Sequence, residues 1–257
     1  MKAKKHFGQH FLTNLSKAEL LIDTILEHSS STNYLEVGPG KGVLTDLLIK
    51  KGVRFKAYDV DKDMVSLLQQ KYPEHQESII LSDILKVDFN SVYDGEAFTL
   101  LGNYPYNIST EIIFKMIYNR SLVTDMIGMF QREVANRIIA PHGSKTYGVT
   151  SVLTQAFYHG EKVFDLSPEE FDPPPKVFSS VIRFKRLEKD FDVDVKWLFR
   201  VVKMAFNQRR KMMRNSLKSL VQDEKLLQQK VFTLRPEQLS IKNFVDLTNL
   251  IHSNYES

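Results

Sequence analysis

The sequence predicts an α/β protein: a parallel sheet with helices on both faces, followed by a small all-α C-terminal domain. Three observations carry this. Strand-like and helix-like segments alternate over the first two thirds of the chain. The run Asp172-Pro173-Pro174-Pro175-Lys176 can be neither helix nor central strand, because proline fixes φ and lacks a donor. From Val195 onward the pattern is helical, with no convincing strand.

The elements follow in order. Ser16–Glu27 places Leu20, Leu21, Ile25 and Leu26 on one side of a helix. Apolar, β-favouring runs occur at Tyr34–Val37, Phe55–Val60, Ser78–Leu81, Phe98–Leu101 and Met126–Phe130, with amphipathic stretches such as Val43–Lys50 and Met64–Lys71 between them. Strands separated by helix-length segments argue for βαβ units, whose right-handed crossovers put helices on both sheet faces. Val177–Phe184 reads as a late strand and Leu187–Asp194 as a charged linker. The predicted domains are therefore 1–187 and 188–257.

The 257 residues are 42% hydrophobic, enough for a real core, and the net charge is +4. Cysteine is absent, which excludes disulfides, thiolate catalysis, Cys-ligated zinc, Fe–S clusters and a zinc-dependent base deaminase. No apolar run has the length of a membrane helix. The basic start has no apolar signal stretch after it, and the first arginine is Arg54, unlike an Arg-rich presequence. The expectation is a soluble cytoplasmic protein. His6 and His10 share a four-residue spacing, but Gly8 weakens a helix there and no third ligand is near, so no metal is expected. The remaining histidines form no ligand pattern, and Met204, Met212 and Met213 read as packing.

Glu36-Val37-Gly38-Pro39-Gly40-Lys41-Gly42 directly follows the first predicted sheet strand and precedes a helix. Alternate glycines let the backbone turn sharply and approach a ligand, and the helix beyond offers free N–H groups. The spacing is G-x-G-x-G, since position 43 is valine, not the dinucleotide G-x-G-x-x-G. By itself such a loop is also a packing turn. Asp59 ends the next strand, where a carboxylate accepts from both ribose hydroxyls, and Asp83 follows the one after, where a side chain meets an adenine ring. Together they mark a nucleoside site. Acidic Glu36 suits a cationic ligand without phosphates, which S-adenosylmethionine (SAM) is, better than a pyrophosphate.

Asn103-Tyr104-Pro105-Tyr106 follows the fourth predicted strand of the sheet, the loop position that faces a sulfonium methyl. An exocyclic adenine amine is a poor nucleophile because its lone pair is delocalised into the ring. Acceptors placed on its hydrogens favour the pyramidal transition state over the planar ground state. The Asn103 side-chain oxygen and the Pro105 carbonyl are suitable acceptors, and Tyr106 offers a ring for stacking on the base. A tyrosine general base is disfavoured, because an ordinary phenol stays protonated at pH 7. On its own the tetrapeptide is also an ordinary Asn-Pro turn.

These pieces occur in order with Lys5–Leu12 (KHFGQHFL), Gly102–Ser109 (GNYPYNIS), Gln131–Ala135 (QREVA), Phe171–Val177 (FDPPPKV) and Ala205–Lys211 (AFNQRRK). In this the chain resembles the KsgA/RsmA family of small-subunit rRNA adenine dimethyltransferases. The resemblance implies a Rossmann-like SAM-dependent methyltransferase sheet and two methyl transfers to each of two adjacent adenines in a hairpin loop near the 3′ end of 16S rRNA, in the 30S subunit or its precursor. It further implies that His10, Leu12 and Gly40 contact SAM, that Gly38 lies at its methionine end, Asp59 at its ribose and Asp83 at its adenine. Asn103 then bridges cofactor and target, with Tyr106 and Phe171 holding the flipped base. His10 replaces the family's usual Asn and Tyr104 its frequent Leu, changes expected to alter affinity without abolishing chemistry.

Trp197–Gln222 contains Arg200, Lys203, Arg209, Arg210, Lys211, Arg214 and Lys218 and no acidic residue. Read as a phosphate track, it predicts salt-sensitive RNA binding; read blandly, it is a solvated helix face. Lys2, Lys4, Lys5 and His6 are a second candidate patch, and Phe7 and Phe11 candidates to close over cofactor or base. Two other readings stand beside the first. One is an erythromycin-resistance-type methyltransferase of large-subunit rRNA. The other is an assembly factor acting mainly by binding, against which the intact Asn103–Tyr106 motif argues. A monomer is expected.

Overall fold

The computed structural model describes residues 4 and 7–255 and divides into two compact units, one comprising the chain up to Ala135 with Glu161–Arg186, the other Asn136–Gly160 with Leu187 onward. The seven-stranded sheet contains β2 (Asn33–Val37), β3 (Arg54–Asp59), β4 (Ile79–Leu81), β5 (Phe98–Asn103), β6 (Val123–Gln131), β7 (Tyr158–Leu166) and β9 (Ser179–Arg186), in the order β4-β3-β2-β5-β6-β9-β7. Four neighbouring pairs, from β4 to β6, are parallel, and β9 returns antiparallel on β6. The chain builds outward from β2 to β4, then crosses to β5 on the other side. The carboxyl ends of β2 and β5 therefore flank a topological switch point, where open α/β sheets bind ligands.

Helices α1 (Leu15–His28), α2 (Val43–Lys50), α3 (Lys62–Lys71) and α4 (Ser109–Tyr118) lie in the first unit. The Asn14 side chain caps α1 by accepting from Lys17 N at 3.1 Å, and Asp61 caps α3 by accepting from Asp63 N at 3.0 Å. Ala18, Leu21, Ile22 and Ile25 of α1 are fully buried with Leu44, Leu48 and Ala57. Each such large side chain contributes roughly 1.5–3 kcal/mol on burial, which holds the strand ends rigid beneath the site. A further pair, β1 (Phe11–Leu12) and β8 (Phe171–Asp172), forms an antiparallel ladder with Phe11 opposite Asp172 and Leu12 opposite Phe171.

In the second unit, α6 (Val149–Gln155) packs on α7 (Val195–Asn207) and α9 (Ile241–Tyr255), with α8 (Met213–Ser216) against α7. The sequence reading left Asn136–Gly160 in the first domain. Its partners explain the difference: the Tyr147 hydroxyl donates to Leu239 O at 3.0 Å, Gly143 N donates to Glu237 O, and Tyr147 meets Phe206 edge-on. α5 (Arg132–Ile138) spans the division. β7 also escaped the sequence reading, because its central residues are exposed or half-buried and show no apolar alternation.

Candidate active site

β2 delivers the chain into the glycine loop. Gly38, Gly40 and Gly42 all have left-handed φ (+68°, +54°, +83°). At Gly40 a Cβ would also lie 2.8 Å from the Phe11 ring, so glycine is required there twice over. Gly38 N donates to Tyr58 O at 2.9 Å, tying the loop to β3. Asp59, 7% exposed, accepts from Gly40 N at 3.2 Å and Asp61 N at 2.9 Å. Burial raises its carboxyl above the ordinary range, and those N–H donors oppose the rise. Glu36 is buried on β2; burial pushes its carboxyl up to about 8, although the Thr45 hydroxyl donates to it at 2.7 Å and favours the charged form.

Asn103 ends β5. Its side-chain Nδ2 donates to the His10 carbonyl at 2.6 Å, which turns Oδ1 the other way as an acceptor. Pro105 sits beside the glycine loop, its ring 3.9 Å from where a Gly38 Cβ would be. The Pro105 carbonyl accepts from Ile108 N at 3.1 Å and keeps its second lone pair. The Tyr106 hydroxyl hydrogen-bonds to Ser179 and its ring stacks on His10, with centroids 5.6 Å apart and planes 24° apart. Burial pushes the Tyr106 phenol above its ordinary pKa, so it is no base at neutral pH. The His10 Nδ1 lies 2.7 Å from Pro173 O.

Three adjoining spaces result. A cleft of about 490 Å³ is lined by Gly38, Gly40, Asp59 and all of Asn103–Tyr106, with Phe7–Phe11 and Val60 as its other walls. A smaller cavity of about 330 Å³ takes Leu12, Glu36, Gly38 and Asn103. A wider space of about 1130 Å³ lies between His10, Tyr106 and Pro173–Val177. Asn103 borders the first two; His10 and Tyr106 border the first and third.

Most predicted site residues thus come together, and some do not. Asp83 lies outside these linings; its carboxylate accepts from Leu85 N at 3.0 Å and meets Lys86 at 3.5 Å. Phe171 is 3% exposed, packed in the core beside Leu12 as β8 pairs with β1, so it presents no face to a base in either space. Tyr104 is also a core residue: its hydroxyl donates to Ile127 O at 3.1 Å and its ring fills the space a Gly128 side chain would need. The Leu-to-Tyr departure thus falls on a packed ring that also backs the cleft. Lys4 is not part of a free basic patch, because it pairs with Asp61 at 2.6 Å and Asp63 at 2.7 Å while Gln9 also donates to Asp61. Burial pushes the Asp61 carboxyl up, but these donors outweigh it and leave its pKa lowered. Lys2, Lys5 and His6 lie outside the described residues. In the second unit Arg210, Lys211 and Arg214 are exposed, whereas Arg209 is drawn to Ser144 O at 3.2 Å and toward Glu237. Sequence reasoning missed Val60, Thr45 and the Lys4–Asp61 clamp, none of which belongs to a spaced motif.

The donor set fits SAM. Asp59 lines the 490 Å³ cleft, which among the described residues has no lysine or arginine to suit a phosphate; Glu36 lines the smaller cavity, where Lys41 is paired with Asp172 at 3.1 Å, and Gly38 leaves the loop open beside Pro105. Sheet order, glycine loop and acceptor-bearing Asn-Tyr-Pro-Tyr turn define a Rossmann-like, SAM-dependent methyltransferase. A family described as ribosomal RNA adenine dimethylase matches residues 1–252, and the chain belongs to it. It is 47% identical to "Ribosomal RNA small subunit methyltransferase A" of Bacteroides thetaiotaomicron over 98% of this chain and 94% of that one. The protein of the same name in Flavobacterium johnsoniae is 46% identical over 99% and 97%. Among solved structures, a dimethyladenosine transferase from Plasmodium falciparum superposes with a TM-score of 0.80 at 23% identity, covering 95% of this chain and 98% of that one. The 23S rRNA methyltransferase ErmE gives 0.68 at 21%, covering 93% and 99%, a likeness of fold. The chain is an rRNA adenine dimethyltransferase that uses SAM.

Proposed function

We propose that the substrate is 16S rRNA in the 30S subunit or its precursor, and that the enzyme, a cytoplasmic monomer, dimethylates N6 of two adjacent adenines in the 3′-terminal hairpin loop. The observation that carries this is Asn103: its amide is fixed by the His10 carbonyl at the border between the smaller cavity and the aromatic cleft. The names of the 46–47% identical relatives support the small-subunit reading. No described helix is long and apolar enough to cross a membrane.

Gly38, Gly40, Leu12, Glu36 and Asp59 would hold SAM, which supplies an electrophilic methyl when bound. Asn103 Oδ1 and the free lone pair of Pro105 O accept the two hydrogens of the adenine amine. Drawn toward those acceptors, the hydrogens leave the ring plane, and the nitrogen lone pair comes free for attack. Tyr106 holds the extruded base by stacking, as enzymes acting on a base require. Arg210, Lys211 and Arg214 meet phosphates, and residues 188–257 serve as the RNA-binding part. The amine proton lost after each transfer leaves to solvent, since Tyr106 stays protonated.

Mass mapping of SAM-treated 30S and 50S particles from an unmethylated strain tests this. Dimethyladenine confined to 30S is expected; modification confined to 50S would instead favour the erythromycin-resistance-type reading.

A further inference from the structure

The last residue of β6, Gln131, pairs with Ser179, the first of β9, and one step further Arg132 N donates to Phe178 O at 2.9 Å. Arg132 and Phe178 thus leave the sheet together at the same level. The Arg132 guanidinium lies 4.5 Å from the Phe178 ring centroid. Phe178 is nonetheless 43% exposed, and so is its neighbour Val177. An exposed phenylalanine on a guanidinium is the composition of a base-stacking platform.

Its position gives it a partner. Gln131, Lys176 and Val177 line both the 1130 Å³ space next to Tyr106 and a further hollow of about 600 Å³ that contains Arg132 and Phe178. One continuous wall therefore runs from the ring proposed to hold the target adenine to the ring of Phe178. The nucleotides joined to that adenine must leave the cleft along some wall, and this one offers stacking and two cations, Arg132 and Lys176. Glu133 also lines the hollow, and Asp165 lies in the field of Arg132, so the local charge is nearly balanced. That balance suits the flat face of a base more than a run of phosphates. The sequence reading had placed Phe178 inside the late strand Val177–Phe184, whereas the strand begins at Ser179.

We infer that Phe178, backed by Arg132, forms a subsite for the nucleotide next to the target adenine in single-stranded loop RNA, and so helps set which loops are modified. The inference rests on the reading of the cleft given above.

The test uses the full-length enzyme, SAM and a hairpin RNA bearing 2-aminopurine as the 5′ or, separately, the 3′ neighbour of a target adenine. Wild-type enzyme should quench one of the two probes on binding. Phe178→Ser should lose that quenching and raise KM for the hairpin about tenfold, with kcat and SAM affinity held, a size set by single stacking contacts. Phe178→Tyr should restore both, and thermal melting of the serine variant should match the wild type, since the ring is a surface group. A wild type that methylates its particles while Phe178→Ser leaves KM and quenching unchanged overturns the subsite alone. A wild type that methylates no ribosomal adenine overturns the subsite and the reading beneath it.

Discussion

The two halves of the cleft are built in different ways. The half proposed for the methyl donor is made of strand ends and backbone: Gly38 N on Tyr58 O, Gly40 N and Asp61 N on Asp59, Thr45 on Glu36. These bonds lie between positions 36 and 61, on a buried core, with Leu12 of β1 added from the start of the chain. The half proposed for the acceptor base is made of side chains that meet across the whole unit: His10 on Pro173 and Tyr106, Tyr106 on Ser179. Backbone bonds between packed strands are shared with the fold and cost it to break. Side-chain contacts between distant segments let the substrate side adjust while the donor side stays fixed. Asn103, bonded to His10 O, is where the halves join.

The strongest way to break that junction is Asn103→Ala. Methyl transfer should fall by at least about a hundredfold in kcat, as for loss of a transition-state hydrogen-bonding group, while rRNA binding persists. Single-turnover methylation with a filter-binding control measures both, and normal dimethylation would contradict the role given to Asn103.

Glu36→Gln probes the donor half through pH. The folded carboxyl titrates at about 8 against 4.5 for the ordinary group, so between those values the folded chain holds a proton that the unfolded chain has released. Stability therefore falls as pH rises through that window, by an amount on the order of a few kcal/mol. Glutamine keeps an acceptor for Thr45 and removes the titration. Its melting temperature should exceed that of the wild type most at about pH 8 and least near pH 5; parallel curves would show that Glu36 titrates normally.

Gly40→Val places a branched side chain at φ +54°, against Phe11. Strain of about 1–3 kcal/mol should appear mainly as lost SAM affinity, because Phe11 walls the cleft. Calorimetric titration with SAM reads it directly.

Reversing Arg210, Lys211 and Arg214 to Glu should weaken RNA binding and lower the salt slope by about one per contact removed, with SAM binding untouched. An unchanged slope removes the phosphate track. The mildest change, Ser179→Ala, deletes the partner of the Tyr106 hydroxyl. Loss of one hydrogen bond, about 1 kcal/mol, should raise KM for RNA several-fold and leave the donor half unaffected. An equal loss of SAM affinity would show that the halves are not separable.

The same contrast explains what could be read in the sequence. α2 spans Val43–Lys50 as predicted, and Gly38, Gly40, Asp59 and Asn103 line the cleft because glycine spacing and strand ends are local signals. The ladder of β1 and β8 has two residues in each strand, too few for any periodicity, and it decides that Phe171 packs in the core while Pro173–Val177 face the open space. Asp83 was placed from its position after a strand; one of its oxygens caps its own turn at Leu85, and it lies outside the three linings. Asn136–Gly160 joined the second unit through bonds such as Tyr147 to Leu239, 92 residues apart, which no local pattern encodes.

The bond from Asn103 to the carbonyl of His10 makes the orientation of one amide depend on a stretch close to the start of the chain. An affinity tag that pulls Phe7–His10 away from Asn103 would leave the key oxygen and nitrogen of that amide free to exchange places. Preparations of this enzyme should therefore carry their handles at the far terminus.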